Sequence, residues 1–175
     1  MRYINILLLF GVISGCKPEP ITCPVVNTTI TNGALVLCEG LFQQNNSSIS
    51  WIDFSTNDVD NSYFVTATNR QLGDTGNDIQ RYGGKIYVVV NASSVVEVLS
   101  SDNFTSLAQI DMVENGIAKQ PRSIAFSGSK AYVSCYDGFV DVIDTVTLQV
   151  TNRIQVGSNP EGLTVVDNYL YVANS

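Results

Sequence analysis

The stretch Ser123–Val156, with the sequence SIAFSGSKAYVSCYDGFVDVIDTVTLQVTNRIQV, decides the fold. Turn-forming residues such as Gly128 and Asp137-Gly138 divide it into short segments rich in β-branched and aromatic side chains. Segments of this composition between turn residues are typical of β-strands. The stretch therefore predicts four strands, at Ser123–Phe126, Lys130–Cys135, Phe139–Asp144 and Val150–Val156.

The same pattern recurs on both sides of this stretch. Tyr132 corresponds to Tyr87 and Tyr171, which lie 45 residues before it and 39 residues after it. The segment VDVIDTVTL (Val140–Leu148) matches VEVLSSDNF (Val96–Phe104). Four-stranded units of about 40–45 residues are typical of the blades of a β-propeller. A blade packs between two neighbours, which explains strands that are apolar on both faces.

The repeat predicts an all-β protein: a β-propeller of four-stranded blades that is incomplete in this chain, with about three blades. We place the blades at residues 33–75, 76–118 and 119–157, with the start of another at 158–175. Closed propellers typically contain about 4–8 blades, so we expect this chain to be the front part of a longer protein. The alternative is a complete small β-protein with an exposed last strand, and such a bare edge would invite aggregation.

Composition narrows the classes of function. The net charge is −7, and the nine Lys and Arg residues are scattered, which disfavours nucleic-acid binding. The chain has no His, the commonest general base and a common metal ligand. It also lacks a Gly-rich phosphate loop, a nucleophile elbow, an HExxH motif and a CxxC pair. We therefore expect no metal and no cofactor, and we assign no catalytic residue.

Residues 1–15 have the composition of an export signal. Arg2 precedes an apolar run, Ile4–Ile13, that is too short to span a membrane. The following Ile13-Ser14-Gly15-Cys16 resembles the bacterial lipobox, which implies cleavage before Cys16 and a lipid on that cysteine. Residues 16–32 then form a linker between the lipid and the propeller. A soluble secreted protein is the alternative interpretation.

The other cysteines are expected to have different roles. An exported chain meets oxidising conditions, so Cys23 and Cys38 are a possible disulfide. Cys135 lies within a predicted strand, which indicates a buried and inert thiol.

The stretch GSNPEGLTVVDNYLYVAN, residues 157–174, resembles the repeat of YVTN-type propellers, with Tyr171-Val172-Ala173-Asn174 in the place of the Tyr-Val-Thr-Asn strand. Together with the lipobox and the early segment EGLFQQNNSSISWID, the chain resembles YncE-like lipoproteins of Bacteroidota over residues 33–175. The resemblance implies a protein that is lipid-anchored to the outer membrane, on its periplasmic or its cell-surface face. It also implies a link to uptake, since some such lipoproteins pass ligands such as ferric siderophores to outer-membrane receptors.

Ligands of propellers usually meet the loops that enter the innermost strands. The repeat alignment places residues 77–79, 121–123 and 160–162 in one register, with varied charge at Asp78, Arg122 and Glu161. These three are candidate ligand-binding residues, and Arg122 could hold a carboxylate or phosphate bidentately. Asn45 and Asn46, in a polar connection, could bind a polar ligand. The alternative for all five is an ordinary solvated loop.

Several further residues allow two interpretations. Trp51 is expected in the core, with a sugar-stacking surface as the alternative, and Arg81 is expected to pack within its strand. Asp53 and Asp144 are interpreted as turn-forming residues that end equivalent strands. Asp144-Thr145-Val146 resembles the O-glycosylation acceptor of Bacteroidota, which makes Thr145 a candidate for that modification.

The sequence as a whole predicts a binding module that is not an enzyme. Its expected partners are the membrane, through the lipid anchor, and a small ligand or an outer-membrane receptor. Two alternatives stay open. One is a propeller enzyme of the hydrolase, lyase or lactonase type with catalytic residues in further blades, and the other is a structural component of a surface layer.

Overall fold

The computed structural model describes residues 32–175. The predicted signal peptide at 1–15, the lipidated Cys16, Cys23 and the linker as far as residue 31 lie outside the described residues. The predicted strands and blades can be compared with the structure from residue 32 onward.

The described chain is almost entirely β-structure, arranged in successive antiparallel sheets. The elements in order are β1 (Gly33–Cys38), β2 (Ser48–Asp53), β3 (Val59–Asp60), α1 (Tyr63–Thr68), β4 (Gly76–Tyr82), β5 (Lys85–Val90), β6 (Val95–Ser100), β7 (Ser106–Asp111), β8 (Val113–Glu114), β9 (Ile117–Ala118), β10 (Pro121–Ser127), β11 (Lys130–Cys135), β12 (Phe139–Asp144), β13 (Gln149–Gln155), β14 (Pro160–Val166) and β15 (Tyr169–Asn174).

Two of the sheets are four-stranded blades in which each strand pairs with the next one along the chain. They are β4-β5-β6-β7 and β10-β11-β12-β13. A three-stranded sheet, β1-β2-β3, precedes them, and a two-stranded sheet, β14-β15, follows. The four strands predicted in Ser123–Val156 are confirmed, with ends that differ by one or two residues. The predicted all-β fold, built from repeated antiparallel sheets with four-stranded blades among them, is therefore confirmed.

Tight hairpins join the strands within a blade. Between β4 and β5 the chain turns through Gly83 and Gly84, whose φ values are 55° and 77°. A two-residue turn with positive φ at both positions matches the twist of the strands it joins, and glycine adopts it without strain.

Two hydrophobic cores lie between neighbouring sheets, and β5 contributes to both. Its side chains alternate, so that Ile86 and Val88 enter the first core and Tyr87 and Val89 enter the second. The first core joins β5 to the sheet β1-β2-β3 and to α1. The second joins it to the blade β10-β11-β12-β13. Each fully buried Val, Ile or Phe contributes about 1.5–3 kcal/mol, so face-to-face packing of the sheets holds the fold together.

The repeated tyrosines occupy equivalent positions. Tyr87, Tyr132 and Tyr171 each lie on the second strand of their sheet, opposite the same position of the strand before it. Tyr87 is fully buried because Phe126 of the next blade packs against it, with ring centroids 4.9 Å apart. Tyr171 is 57% exposed. The tyrosine at this position is thus buried where another described sheet packs against it and exposed where none does.

Two small elements in the connections between sheets were not predicted from the sequence. Asn69 caps the C-terminus of helix α1; it has the left-handed φ of 56° and donates its backbone N–H to the carbonyl of Val65 at 2.8 Å. The short hairpin β8-β9 turns at Asn115-Gly116, where both φ values are positive. Within residues 32–175, no helix has the length and apolar character needed to cross a membrane.

Candidate functional site

The innermost strands β4, β10 and β14 begin at the same end of the sheets. Strand pairing shows which of their residues are equivalent. Gly76, Pro121 and Pro160 pair with equivalent residues of β5, β11 and β15, and a bulge follows in each case. The next residue in each strand is therefore Asn77, Arg122 or Glu161. The predicted register was wrong by one residue in β4, because it placed Asp78 with Arg122 and Glu161.

Arg122 lies between its two equivalents and contacts both of them. Its Nε donates to Glu161 Oε2 at 3.0 Å, and its Nη2 lies 3.0 Å from the same oxygen. Its Nη1 donates to the side-chain oxygen of Asn77 at 2.8 Å when the Asn77 amide is oriented to satisfy both of its partners. Its guanidinium lies over the ring of Tyr136, 4.7 Å from the centroid. We call Asn77, Arg122, Tyr136 and Glu161 the inner cluster.

The carboxylate of Glu161 is held by two donors. The Tyr136 hydroxyl donates to Oε1 at 2.6 Å, and Arg122 binds Oε2. The hydrogen bond from Tyr136 lowers the pKa of Glu161, and Arg122 lowers it further. The same hydrogen bond raises the pKa of Tyr136. The side chains of Arg122 and Glu161 are 23% and 35% exposed, so the inner cluster is accessible from solvent.

Asp78 binds the next blade directly. Its Oδ2 accepts from the Ser123 hydroxyl at 2.9 Å and from the backbone N–H of Ile124 at 3.0 Å. It satisfies backbone and side-chain donors at the bulge that starts β10. Asp78 thus lies beside the inner cluster, but its carboxylate is already hydrogen-bonded to Ser123 and Ile124 of the next blade.

The predicted polar loop lies at the same end of the molecule. The backbone N–H of Gly76 donates to the carbonyl of Glu39 at 3.2 Å and to the Ser47 hydroxyl at 2.8 Å, which joins this loop to the start of β4. Asn46 Oδ1 accepts from the backbone N–H of Leu41 at 2.7 Å, and Asn45 is exposed with a φ of 50°. No hydrogen bond within residues 32–175 joins either asparagine to Arg122.

Two buried acids at equivalent positions of the third strands were not predicted from the sequence. Glu97 in β6 and Asp141 in β12 are fully buried, opposite Val88 and Val133. Arg70 lies 2.5 Å from Glu97, and Lys119 lies 2.6 Å from Asp141. The aligned segments VEVLSSDNF and VDVIDTVTL contain the signal that could have revealed them, since both place an acid between two valines.

Asp141 also binds Arg153, which connects several acids. Arg153 Nε donates to Asp141 Oδ1 at 2.9 Å, and its two terminal nitrogens pair with Glu114 and Asp137. The guanidinium stacks over the Phe139 ring at 4.0 Å. Because a buried charge is destabilising unless it is paired, these partners explain how an acid can lie in an apolar strand.

Asp53 and Asp144 are turn residues, as predicted. Asp53 Oδ1 accepts from the backbone N–H of Ser55 at 2.7 Å, and Asp144 Oδ1 accepts from that of Thr147 at 2.7 Å. Hydrogen bonds from Ser55 and Thr147 respectively lower the pKa of the two carboxyls. Thr145 is buried, and its glycosylation stays a prediction without support from its position.

The cysteines of the described chain differ in burial. Cys38 is exposed at the end of β1, and its predicted bridge to Cys23 stays a prediction because Cys23 lies outside the described residues. Cys135 is fully buried, and burial raises the pKa of its thiol, with Asp141 adding to the effect. A thiol in this state is a poor nucleophile. Within residues 32–175, no three His, Cys, Asp or Glu side chains group closely enough to hold a metal ion.

Repeated four-stranded sheets that pack face to face define the class of protein as a β-propeller. Similar solved structures include BamB from Moraxella catarrhalis, with a TM-score of 0.54 and 15% identity over 73% of this chain and 34% of that one. Apo AztD from Citrobacter koseri has a TM-score of 0.51 and 14% identity over 73% and 34%. A protein of unknown function from Bacteroides caccae has a TM-score of 0.56 and 18% identity over 81% and 52%.

These identities show a shared fold, and this chain spans about a third to a half of the length of each structure. The chain belongs to the DUF5074 family, a domain of unknown function, which matches residues 32–175. No curated protein sequence matches it. The fold is consistent with a binding module, because propellers present rows of loops on a rigid frame.

Proposed function

We propose that this protein is a lipid-anchored, extracytoplasmic β-propeller, a YncE-like lipoprotein of Bacteroidota, that binds a small anionic ligand at the inner cluster. It serves an outer-membrane uptake receptor and catalyses no reaction. The observation that carries the proposal is the contact of Asn77, Arg122 and Glu161 across three successive innermost strands. Side chains of different chemistry at these equivalent positions contact one another and are partly exposed, in the region where propeller ligands usually bind.

The chemistry of the inner cluster favours a carboxylate, a phosphate or another compact anion. Arg122 presents a planar set of donors that matches such groups, and the Tyr136 ring fixes the plane of the guanidinium. In the free protein, Glu161 occupies two of these donor positions. A ligand anion therefore competes with Glu161, and removal of the Glu161 charge should strengthen binding.

The described residues favour binding over catalysis. Nucleophilic catalysis needs a nucleophile within reach of a base. The chain has no His, and the Cys135 thiol is buried with a raised pKa. A catalytic site at the inner cluster would therefore have to use side chains other than histidine and cysteine.

A ligand titration with matched variants tests the binding site. The probes are a ferric tris-catecholate complex, which is anionic, and a ferric tris-hydroxamate complex, which is neutral. Full-length Arg122→Gln should bind the anionic complex at least about tenfold more weakly than wild type, since a charged hydrogen bond contributes about 1.5–3 kcal/mol. Glu161→Gln should bind it more tightly, and Lys130→Gln, which removes an exposed charge from β11, should not differ from wild type.

Equal affinity of wild type and Arg122→Gln for the anionic complex would show that the inner cluster does not bind it. Failure of both iron complexes to bind would contradict the role in iron uptake.

The proposed anchor rests on the lipobox-like sequence at Cys16 and has its own test. In membrane fractionation, wild type should sediment with the outer membrane, because several acyl chains hold a protein stably in a bilayer. Cys16→Ala should move to the soluble fraction. Membrane retention of the variant would contradict lipidation at Cys16.

A further inference from the structure

The first described sheet differs from the complete blades in its inner strand. Leu35 of β1 pairs with Trp51 of β2 as Tyr87 of β5 pairs with Val98 of β6, so β1 is equivalent to the second strand of a blade. Within residues 32–175, β1 pairs with β2 alone, whereas β5 and β11 each pair along both edges. The other edge of β1 therefore presents backbone N–H and C=O groups that a further strand can bind.

A groove follows this edge of β1. It runs between β1 and β4 from Asn32 at one end to Glu39 at the other, and Leu35 and Ile79 line it midway. The partly buried indole of Trp51 adds an aromatic wall. The groove has the length of β1 and lies on the side of β1 where β4 lies beside β5. A strand suits this space, because it can pair with the edge of β1 and fill the groove along its whole length.

The sequence directly before β1 has the spacing of an inner strand. Each of β4, β10 and β14 is seven residues long, and a two-residue turn joins each of them to the second strand of its sheet. The same spacing, counted back from Gly33, places a turn at residues 31–32 and a strand at residues 24–30. Pro24 then takes the position of Pro121 and Pro160, the first residues of β10 and β14.

The residue types of this segment favour a strand. Residues 24–30 have the sequence PVVNTTI, in which five of the seven residues are β-branched and none is charged. Proline is tolerated as the first residue of a strand. Asn32 takes the turn position of Asn168, where φ is 66° and asparagine is favoured. Spacing and composition thus agree on the same segment.

We propose that the groove along β1 binds residues 24–30 of the same chain as the inner strand of the first sheet. The segment runs antiparallel to β1, with Asn27 opposite Val36, as Leu163 lies opposite Val172 in β14-β15. This assignment shortens the linker predicted for residues 16–32. It rests on strand register and repeat spacing, and it does not depend on the ligand proposed for the inner cluster.

The bound segment also determines which end of the propeller lies near the anchor. Strand register places Val25 in line with Arg122 and Glu161, so the segment begins at the end where the inner cluster lies. With the anchor proposed at Cys16, on which this step rests, the residues from 17 to 23 join the lipid to Pro24 and span at most about 25 Å. The inner cluster is then held close to the membrane, which suits a protein that serves a membrane receptor.

Disulfide cross-linking of the full-length chain tests the strand and its register. Asn27→Cys and Val36→Cys are introduced together, with oxidised glutathione as the oxidant. The background replaces by alanine the cysteines that could compete: Cys16, Cys23 and Cys38. Cys135 stays, because its thiol is buried and has a raised pKa. Without Cys16 the chain lacks the proposed anchor, so the result does not depend on lipidation.

The matched control is Thr28→Cys with Val36→Cys, because a shift of one residue moves the first cysteine to the other face of the strand. The 27–36 disulfide should form at least about tenfold faster than the 28–36 disulfide, since only the opposite pair has its Cβ atoms in bonding geometry. Thr29→Cys with Ala34→Cys is a second pair in the proposed register and should also cross-link rapidly. Urea unfolding of the reduced variants verifies that each is folded.

Equal rates for the 27–36 and 28–36 pairs, or no intramolecular disulfide in the folded variants of either proposed pair, would overturn the proposal. Disulfide-linked dimers through Val36→Cys, formed in place of the intramolecular bond, would show that a second copy of the chain occupies the groove and would overturn it as well.

Discussion

At the scale of single residues, polar groups in this protein are held by partners on the neighbouring blade. Asp78 binds the start of β10, Ser134 donates to the carbonyl of Glu161 at 2.5 Å, and Arg122 binds both of its neighbours. The contacts of Asp78 and Arg122 join the innermost strands, which share no backbone ladder with one another. A polar residue at the start of an innermost strand therefore stabilises the fold as well as shaping the surface.

Tyr87 shows what happens where a partner is lacking. Its hydroxyl is buried and has no hydrogen-bond partner among the described residues, and burial raises its pKa. Because an unpaired buried hydroxyl is destabilising, Tyr87→Phe should stabilise the protein by up to about 1 kcal/mol. Urea unfolding measures the change. Tyr136→Phe is the matched control and should be destabilising, since the Tyr136 hydroxyl donates to Glu161. A clear loss of stability in Tyr87→Phe would contradict this assignment.

The inner cluster should make stability depend on pH. The folded pKa of Glu161 is lowered from 4.5, so its ionised form stabilises the fold above about pH 4.5. This contribution is lost as the pH falls through the folded pKa. Wild type should therefore exceed Glu161→Gln in free energy of unfolding at pH 7, by less than about 1 kcal/mol because the pair is partly exposed.

The difference between wild type and Glu161→Gln should shrink between pH 5 and pH 3 in a series of chemical denaturation curves. A difference that stays constant over this range would show that the Glu161 charge does not stabilise the fold.

At the scale of elements, the two sheet interfaces with a hydrophobic core each contain one buried acid. Glu97 forms an ion pair with Arg70, which follows α1, and Asp141 forms one with Lys119, which follows β9. The cation comes from the connection between sheets in both cases. The irregular connections thus have a common electrostatic role, although one contains a helix and the other a hairpin.

A double-mutant cycle tests this role at the first interface. Arg70→Met leaves Glu97 buried without its cation and should destabilise the protein by about 3 kcal/mol. The double variant Arg70→Met, Glu97→Met should be more stable than Arg70→Met, because no charge is then left unpaired. Unfolding in urea provides both values. A double variant that is less stable than Arg70→Met would show that the buried pair itself is the larger stabilising factor.

The sequence predicted strands and turns more reliably than it predicted side-chain partners. Strand ends near Gly128 and Gly138 could be placed because glycine and Asx turns give a local signal. The register of Asn77, Arg122 and Glu161 follows from the 45- and 39-residue spacing of the repeated tyrosines, but the local alignment of the loops missed it, because Gly76 and Pro121 are dissimilar and a bulge follows each of them. Pairing across the sheet fixes that register, and it is a non-local property.

Buried charge was also beyond the sequence. Nothing in the sequence around Glu97 distinguishes it from an exposed acid until its repeat partner Asp141 is considered. Arg81 was expected to pack in its strand, and it is exposed near the end of β4. The burial of each side chain depends on how one sheet packs on the next, which is a non-local property.

At the scale of the whole molecule, the described chain has two four-stranded blades between a three-stranded sheet and a two-stranded sheet. The inner cluster lies where β10 and β14 begin, and its members come from more than one sheet. Its geometry therefore depends on how successive sheets pack against each other.

Successive sheets pack face to face, with Asn77, Arg122 and Glu161 at equivalent positions of their innermost strands. Oxidative cross-linking of Asp78→Cys with Ser123→Cys tests this arrangement most directly, because the Asp78 carboxylate and the Ser123 hydroxyl are 2.9 Å apart across the blade boundary. The matched control pairs Gln80→Cys with Ser123→Cys, which shifts one cysteine along β4. A disulfide should form rapidly between positions 78 and 123 and much more slowly in the control. No disulfide between 78 and 123, or equal rates in both variants, would contradict the account.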